Sequence, residues 1–219
     1  MIKGAIFDFD GTLFNSMYVW HAVGEEYLKS HGKIAKPGFR DTVKSMSLLE
    51  SAYYVRDVYG VDKPAQTIAN EVNALVEKHY FNDVQPKKGL VNFIKELKAQ
   101  DIKLCVATAT DKYMIEAALK RCGLRDMFSA IFTCTEVGAS KKEPTIYREA
   151  LKFLGTDRKN TMIFEDAIYA VKTAKADGFY VTGVYDEYER ETSLVEELAD
   201  LYIRDYEDMS LFNKFVSEI

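Results

Sequence analysis

Short apolar runs alternate with amphipathic segments along the chain, and their order predicts the fold. Residues 2–7 are a short apolar run, the pattern of a strand buried on both faces. After Phe14 the strand pattern stops and a helical period takes over. Trp20, Val23, Tyr27 and Leu28 fall at helical spacings and predict a helix over 17–30, closed at His31-Gly32 because glycine suits the position after a helix. Asn15 and Ser16 are good N-cap types for it. A short helix is expected over 38–46, a clearer one from Ser47 to Gly60, and another from Asp62 to about Tyr80 with Pro64 in its first turn. Residues 15–82 hold no convincing strand.

Beyond Pro86 the two patterns alternate. Amphipathic helices are expected over 89–100, 111–122, 143–154 and 167–177, and apolar strands over 101–107, 130–134, 161–164 and 180–184. A helix near Ser193, a short strand at 201–203 and a last helix complete the chain. Strands separated by helices imply right-handed crossovers and a parallel sheet. Winding outward in both directions from the first strand gives the order 3-2-1-4-5, with room for an extra C-terminal strand. The expected architecture is α/β, a Rossmann-like parallel core from residues 1–14 and 83–219. An α-helical cap domain, 15–82, is inserted into it.

Composition narrows the functional classes. At 219 residues and 47% hydrophobic, the chain can bury a substantial core. A net charge of -5 argues against nucleic acid or an anionic membrane as partner. Cys105, Cys122 and Cys134 have neither metal-like nor paired spacing and read as thiols of a reducing compartment. With no signal-peptide pattern and no membrane-length run, a cytoplasmic location is expected. Oligomeric state is not legible, and a monomer is compatible with everything above.

The chemistry concentrates at strand ends. In an open α/β sheet, ligands bind beyond the carboxyl ends of the strands. There, Asp8 and Asp10 follow the first strand, and Gly11 allows a sharp turn. If strand geometry persists, side chains at i and i+2 share a face and both carboxylates point into one crevice. A hard divalent cation such as Mg²⁺ relieves the repulsion of such a pair. Thr108 ends the second strand and Glu165-Asp166 the fourth, the two strands expected beside the first. Phosphoryl transfer needs this inventory: a carboxylate nucleophile in Asp8, and an acid and then base in Asp10. Thr108 supplies a hydroxyl donor, and Lys141 or Lys142 a cation.

Together these elements resemble the haloacid dehalogenase superfamily of phosphatases. The matching segments are Asp8-Phe9-Asp10-Gly11-Thr12, then Thr108 after Leu104-Cys105-Val106-Ala107. The lysine of Ser140-Lys141-Lys142-Glu143-Pro144-Thr145-Ile146-Tyr147 and Phe164-Glu165-Asp166-Ala167 follow in order. Helices inserted after the first motif are similar to the cap of the subgroup containing phosphoglycolate phosphatase and β-phosphoglucomutase. Counting back from Pro144 makes Lys141 the motif lysine, with Lys142 where the family has a proline. The resemblance implies phosphate binding by Asp8, Phe9, Asp10, Thr108, Ala109 and Lys141. It implies Mg²⁺ binding by Asp8, Asp10 (through its backbone carbonyl), Asp166 and Glu165.

It also implies hydrolysis of a small phosphorylated metabolite through an aspartyl phosphate on Asp8. A sugar phosphomutase is the alternative, and a non-catalytic binding protein of the same fold a third. Thr12 and Trp20 favour hydrolysis, because mutases of the family commonly have a larger apolar residue at the first position and His at the second. A cap that closes over the crevice would set specificity, with Arg40, Lys44 and Trp20 as candidates; solvated surface cations are the plain alternative for Arg40 and Lys44.

Overall fold

The computed structural model describes residues 1–43 and 46–219. The chain divides into two compact units, Met1–Ser16 with Val84–Ile219, and Met17–Asp83.

The larger unit is built on a six-stranded parallel sheet. Its strands are β1 (Gly4–Phe7), β4 (Lys103–Thr108), β5 (Ala130–Thr133), β6 (Thr161–Glu165), β7 (Tyr180–Val184) and β8 (Leu201–Ile203), in the order β5-β4-β1-β6-β7-β8. That is the order expected from the hydrophobic pattern, with the extra C-terminal strand at one edge. β1 lies between β4 and β6, Ile6 facing Cys105 on one side and Ile163 on the other.

Alternation along the strands sorts the core into two faces. Ile6, Cys105, Ala107, Ile163 and Val181 pack with the apolar stripes of α8 (Thr145–Leu154), α9 (Ile168–Ala176) and α10 (Thr192–Leu198). Phe7 and Phe164 point the other way and stack at 4.2 Å. Phe93 of α5 (Leu90–Ala99) and Phe212 of α11 (Met209–Glu218) close over Phe164, with ring centroids at 5.7 and 6.1 Å. Stacked and edge-to-face rings each add about 1 kcal/mol beyond their burial. Helices α6 (Lys112–Arg121) and α7 (Cys134–Val137) complete this unit.

A two-stranded antiparallel ribbon was not foreseen. β2 (Phe14–Asn15) pairs with β3 (Gln85–Pro86), bringing together the points where the chain leaves and re-enters the larger unit. Two residues per strand are too few to show a period, so no pattern announced it. The return is fixed further on. Lys87 is buried, donating its backbone N–H to the Leu13 carbonyl at 2.9 Å and its ammonium to the Tyr185 carbonyl at 2.6 Å. Its ammonium also pairs with Asp186 at 3.2 Å.

The regular elements described in the smaller unit are all helices: α1 (Met17–Ser30), α2 (Phe39–Val43), α3 (Leu48–Tyr59) and α4 (Ala65–Asn82). Ser47 and Glu50 form a reciprocal capping box at the start of α3, and Gly60 ends it in the left-handed conformation. Tyr27, fully inside, donates to Glu71 at 2.5 Å, and Lys63 closes on the same carboxylate at 2.6 Å, tying α1 to α4. Among the described residues, no helix is long and apolar enough to cross a membrane.

Candidate active site

The ends of β1, β4 and β6 meet as the strand order requires. Asp8 N–H donates to the Phe164 carbonyl at 3.0 Å, so Asp8 stays in step with the ladder one residue beyond β1. The chain then turns. Gly11 takes φ 78°, which only glycine adopts without strain, and the Phe9 carbonyl receives the N–H groups of Leu13 and Phe14 at 3.0 and 2.9 Å. The Phe9 ring stacks on Phe14 at 4.4 Å and fixes the turn from inside.

Across this turn the two aspartates have different partners. Asp8 accepts from the Lys141 ammonium. Asp10 is held instead by two hydroxyls, with Ser16 donating to Oδ1 at 2.6 Å and Thr110 to Oδ2 at 2.6 Å. The expectation that both carboxylates share one cation between them therefore does not describe their side chains. Extended geometry ends at Asp8, and the i, i+2 rule ends with it. Ser16, read as a helix cap, spends its hydroxyl on Asp10.

Asp8 has other acidic neighbours. One carboxylate oxygen from each of Asp8, Glu165 and Asp166 falls within 4.8 Å of the others, and all three residues are buried. Lys141, only 3% exposed, bridges Asp8 to Glu165 Oε1 at 2.5 Å. Tyr147 donates to that same Glu165 oxygen at 2.7 Å. Thr12 donates to Asp166 Oδ1 at 2.9 Å. Glu165 Oε2 is buried with no hydrogen-bond partner among the described residues.

Burial and charge leave their mark on these groups. Desolvation pushes the Asp8 carboxyl up to about 7; Lys141 opposes the shift and Glu165 adds to it. Asp166 is raised well above the ordinary range, first by burial and then by the charges of Asp8, Glu165 and Asp186. Burial disfavours charge on Lys141 as well, but Asp8 and Glu165 outweigh it and hold its ammonium above the ordinary range. With all three carboxylates ionised, the one ammonium leaves two negative charges uncompensated in a buried cleft, which is why both aspartates resist ionisation there. The donor set is all oxygen, one acceptor is orphaned, and the charge deficit is that of a divalent cation, so the residues fit a hard metal ion such as Mg²⁺.

The remaining expected residues fall as follows. Thr108 is fully buried at the end of β4, and its hydroxyl oxygen accepts from Thr110 N–H at 3.1 Å. Ala109 is exposed beside it, just before α6. Lys142 is exposed and lines a surface groove with Pro144, Arg148 and Lys172. In the helical unit, Arg40 spends its charge on Glu25 at 2.7 Å and reaches His21 at 2.9 Å. Trp20 donates its indole N–H to Tyr80 at 2.8 Å. Lys44 lies outside the described residues.

Four contributors escaped the sequence reading: Ser16, Thr110, Tyr147, and Thr12 as a partner of Asp166. Thr110, two residues after Thr108 and at a helix start, carried a usable signal. Tyr147 stood within the quoted lysine segment with no role attached.

The chain is similar to known proteins. A family model described as haloacid dehalogenase-like hydrolase matches residues 5–184. The validoxylamine A 7'-phosphate phosphatase of Streptomyces hygroscopicus subsp. limoneus is 26% identical over 218 residues, covering 94% of each chain. The fructose-1-phosphate phosphatase YqaB of Escherichia coli is 23% identical over 175 residues, covering 80% of this chain and 92% of that one. The crystal structure of CbbY from Rhodobacter sphaeroides in complex with phosphate superposes with a TM-score of 0.81 at 23% identity, over 95% of this chain and 96% of that one, a likeness of fold. With the model spanning most of the chain, this protein belongs to the haloacid dehalogenase-like hydrolase family.

Proposed function

We propose that this hydrolase is a Mg²⁺-dependent phosphatase that removes phosphate from a small phosphorylated metabolite through an aspartyl phosphate on Asp8. The observation that carries the reading is the pairing of Asp8 with Lys141 inside a buried acidic cleft shared with Glu165 and Asp166. Asp8 attacks phosphorus, forming the acyl phosphate and breaking the bond to the leaving oxygen. Asp10 gives its proton to that oxygen and then takes one from the water that attacks the phosphoenzyme. Its two hydroxyl partners, Ser16 and Thr110, aim it without neutralising it. Thr108 already accepts from Thr110 N–H, which leaves its own hydroxyl proton for a phosphate oxygen. Lys141 compensates charge on the nucleophile and on the phosphoryl group. Asp8, Asp166 and Glu165 would hold Mg²⁺, which supplies further compensation for the phosphate oxygens when bound.

A polyhydroxylated substrate is favoured by the names of the two relatives, one acting on validoxylamine A 7'-phosphate and the other on fructose 1-phosphate. The test is hydrolysis of p-nitrophenyl phosphate with Mg²⁺. Wild type is expected to turn over and Asp8→Asn to be inert; equal rates in the two would overturn the nucleophile assignment. A panel of sugar and polyol phosphates then ranks substrates by kcat/KM.

A further inference from the structure

Glu165 has an uneven set of partners. Both of its donors, the Lys141 ammonium at 2.5 Å and the Tyr147 hydroxyl at 2.7 Å, meet the same oxygen, Oε1. The other oxygen, Oε2, is fully buried and has no hydrogen-bond partner among the described residues. An orphaned carboxylate oxygen in a buried site is destabilising unless something cationic answers it. Asp8 and Asp166 present oxygens within 4.8 Å of a Glu165 oxygen, so a cation is the answer the cleft is built for.

The two donors on Oε1 are not equivalent. Lys141 is shared with Asp8 and sits on the loop before α8. Tyr147 lies in the first turn of α8, is fully buried, and packs edge-on against Phe179 at 6.4 Å. Its phenol is held by the core, and among the described residues Glu165 Oε1 is the acceptor its hydroxyl reaches. When Lys141 turns to phosphoryl oxygens, Tyr147 is the donor that stays.

We infer that Tyr147 is a positioning residue for the metal site: its hydroxyl pins Glu165 Oε1 and thereby keeps Oε2 aimed at the cleft formed with Asp8 and Asp166. This rests on the phosphatase reading, and it assigns Tyr147 a role that contact with substrate does not require. Hydrogen-bond partners that orient metal ligands typically set affinity within a factor of 10–100.

The experiment is Mn²⁺ binding to the substrate-free protein, followed by electron paramagnetic resonance of the free ion, for wild type, Tyr147→Phe, Glu165→Gln and the double variant. Phenylalanine fills the same space, and thermal melts run alongside report any loss of packing. Tyr147→Phe is expected to weaken Mn²⁺ about tenfold. In the Glu165→Gln background the same change is expected to have no further effect, because Tyr147 acts through Glu165. Equal Mn²⁺ affinity in wild type and Tyr147→Phe overturns the assignment and leaves the phosphatase reading standing. An equal loss in both backgrounds, paralleled by lower melting temperatures, also overturns it and makes Tyr147 a packing residue. Wild type that binds no Mn²⁺ overturns the metal-dependent reading and the role of Tyr147 together.

Discussion

Thr12 and Asp166 stand 154 positions apart in the chain, and their side chains meet at 2.9 Å inside the protein, the hydroxyl donating to Oδ1. Thr12 is fully buried, so its identity bears on the support of Asp166. The sequence reading had set Thr12 in the balance between water and a sugar as phosphate acceptor. Thr12→Val keeps the shape and removes the donor. It is expected to cost about 1–3 kcal/mol of stability by leaving a buried carboxylate short of a partner. It should also weaken Mg²⁺ binding roughly tenfold. Urea denaturation in EDTA and Mg²⁺ titration calorimetry measure the two effects; unchanged Mg²⁺ affinity would remove Thr12 from the support of the site.

Asp10 is aimed by Ser16 and Thr110, one hydroxyl on each oxygen. Asp10→Asn cannot exchange a proton and is expected to lower kcat by roughly 10²–10⁴. Thr110→Val leaves the acid in place and loosens one of its two constraints. Misplacing a catalytic group by about 1 Å can cost as much as a hundredfold in rate, so a fall of roughly tenfold in kcat, with KM little changed, is expected. Steady-state hydrolysis of p-nitrophenyl phosphate measures both. If Thr110→Val matches wild type, the Thr110 hydroxyl is not needed to aim Asp10.

How far the sequence reaches follows the physics of each element. The strands were legible because a strand covered on both faces is a continuous apolar run, and the sheet order followed from crossover handedness. Asp8, Thr108, Lys141 and Asp166 were legible as polar residues interrupting apolar strand ends or sitting in a recognisable segment. What was not legible is pairing at long range. Nothing local says that Tyr147 meets Glu165 or that Thr12 meets Asp166, since each pair is made by two elements docking on the sheet. The different partners of Asp8 and Asp10 were missed for another reason: the period of two was carried past Asp8, where extended geometry ends ahead of the turn at Gly11. Arg40 looked like a substrate contact because its partner Glu25 lies 15 residues away on another helix.

Stability should depend on pH through Asp8. Its carboxyl is pushed from 3.8 up to about 7, chiefly by burial. Below about pH 4 it is protonated whether the chain is folded or not. Between about pH 4 and 7 the folded protein keeps a proton that the unfolded chain has released, so stability falls as pH rises, and it levels off above 7. Asp8→Asn lacks this term. Its stability relative to wild type is therefore expected to climb across that window, by on the order of 1–3 kcal/mol. That is less than the full shift implies, because Lys141 loses a partner in the variant. Urea midpoints in EDTA from pH 4.5 to 8 read the difference, and a gap that stays constant with pH would contradict the raised Asp8 carboxyl.

Gly89 sets the spacing between the returning chain and the wall of the site. It takes φ 79°, and a Cβ built on it would lie 2.4 Å from the Tyr206 carbonyl carbon and 2.5 Å from Glu207 N. Neither neighbour can swing aside: both are backbone, and Tyr206 is itself tied by its N–H to the Lys88 carbonyl at 2.9 Å and by its hydroxyl to the Thr12 carbonyl at 3.1 Å. Gly89→Ala therefore adds overpacking, typically 1–3 kcal/mol, to the roughly 1–2 kcal/mol of a left-handed alanine. Gly123 separates the two contributions, since it takes φ 69° with nothing within 4 Å of its would-be Cβ. Gly123→Ala should lose only the conformational part, and Gly89→Ala about 2–5 kcal/mol in all. Because Tyr206 holds the Thr12 carbonyl, the Gly89 variant should also weaken Mg²⁺ binding while the Gly123 variant leaves it unchanged. Equal losses of stability in the two would mean that the close approach at Tyr206 is relieved at little cost, and that the return segment does not brace Thr12.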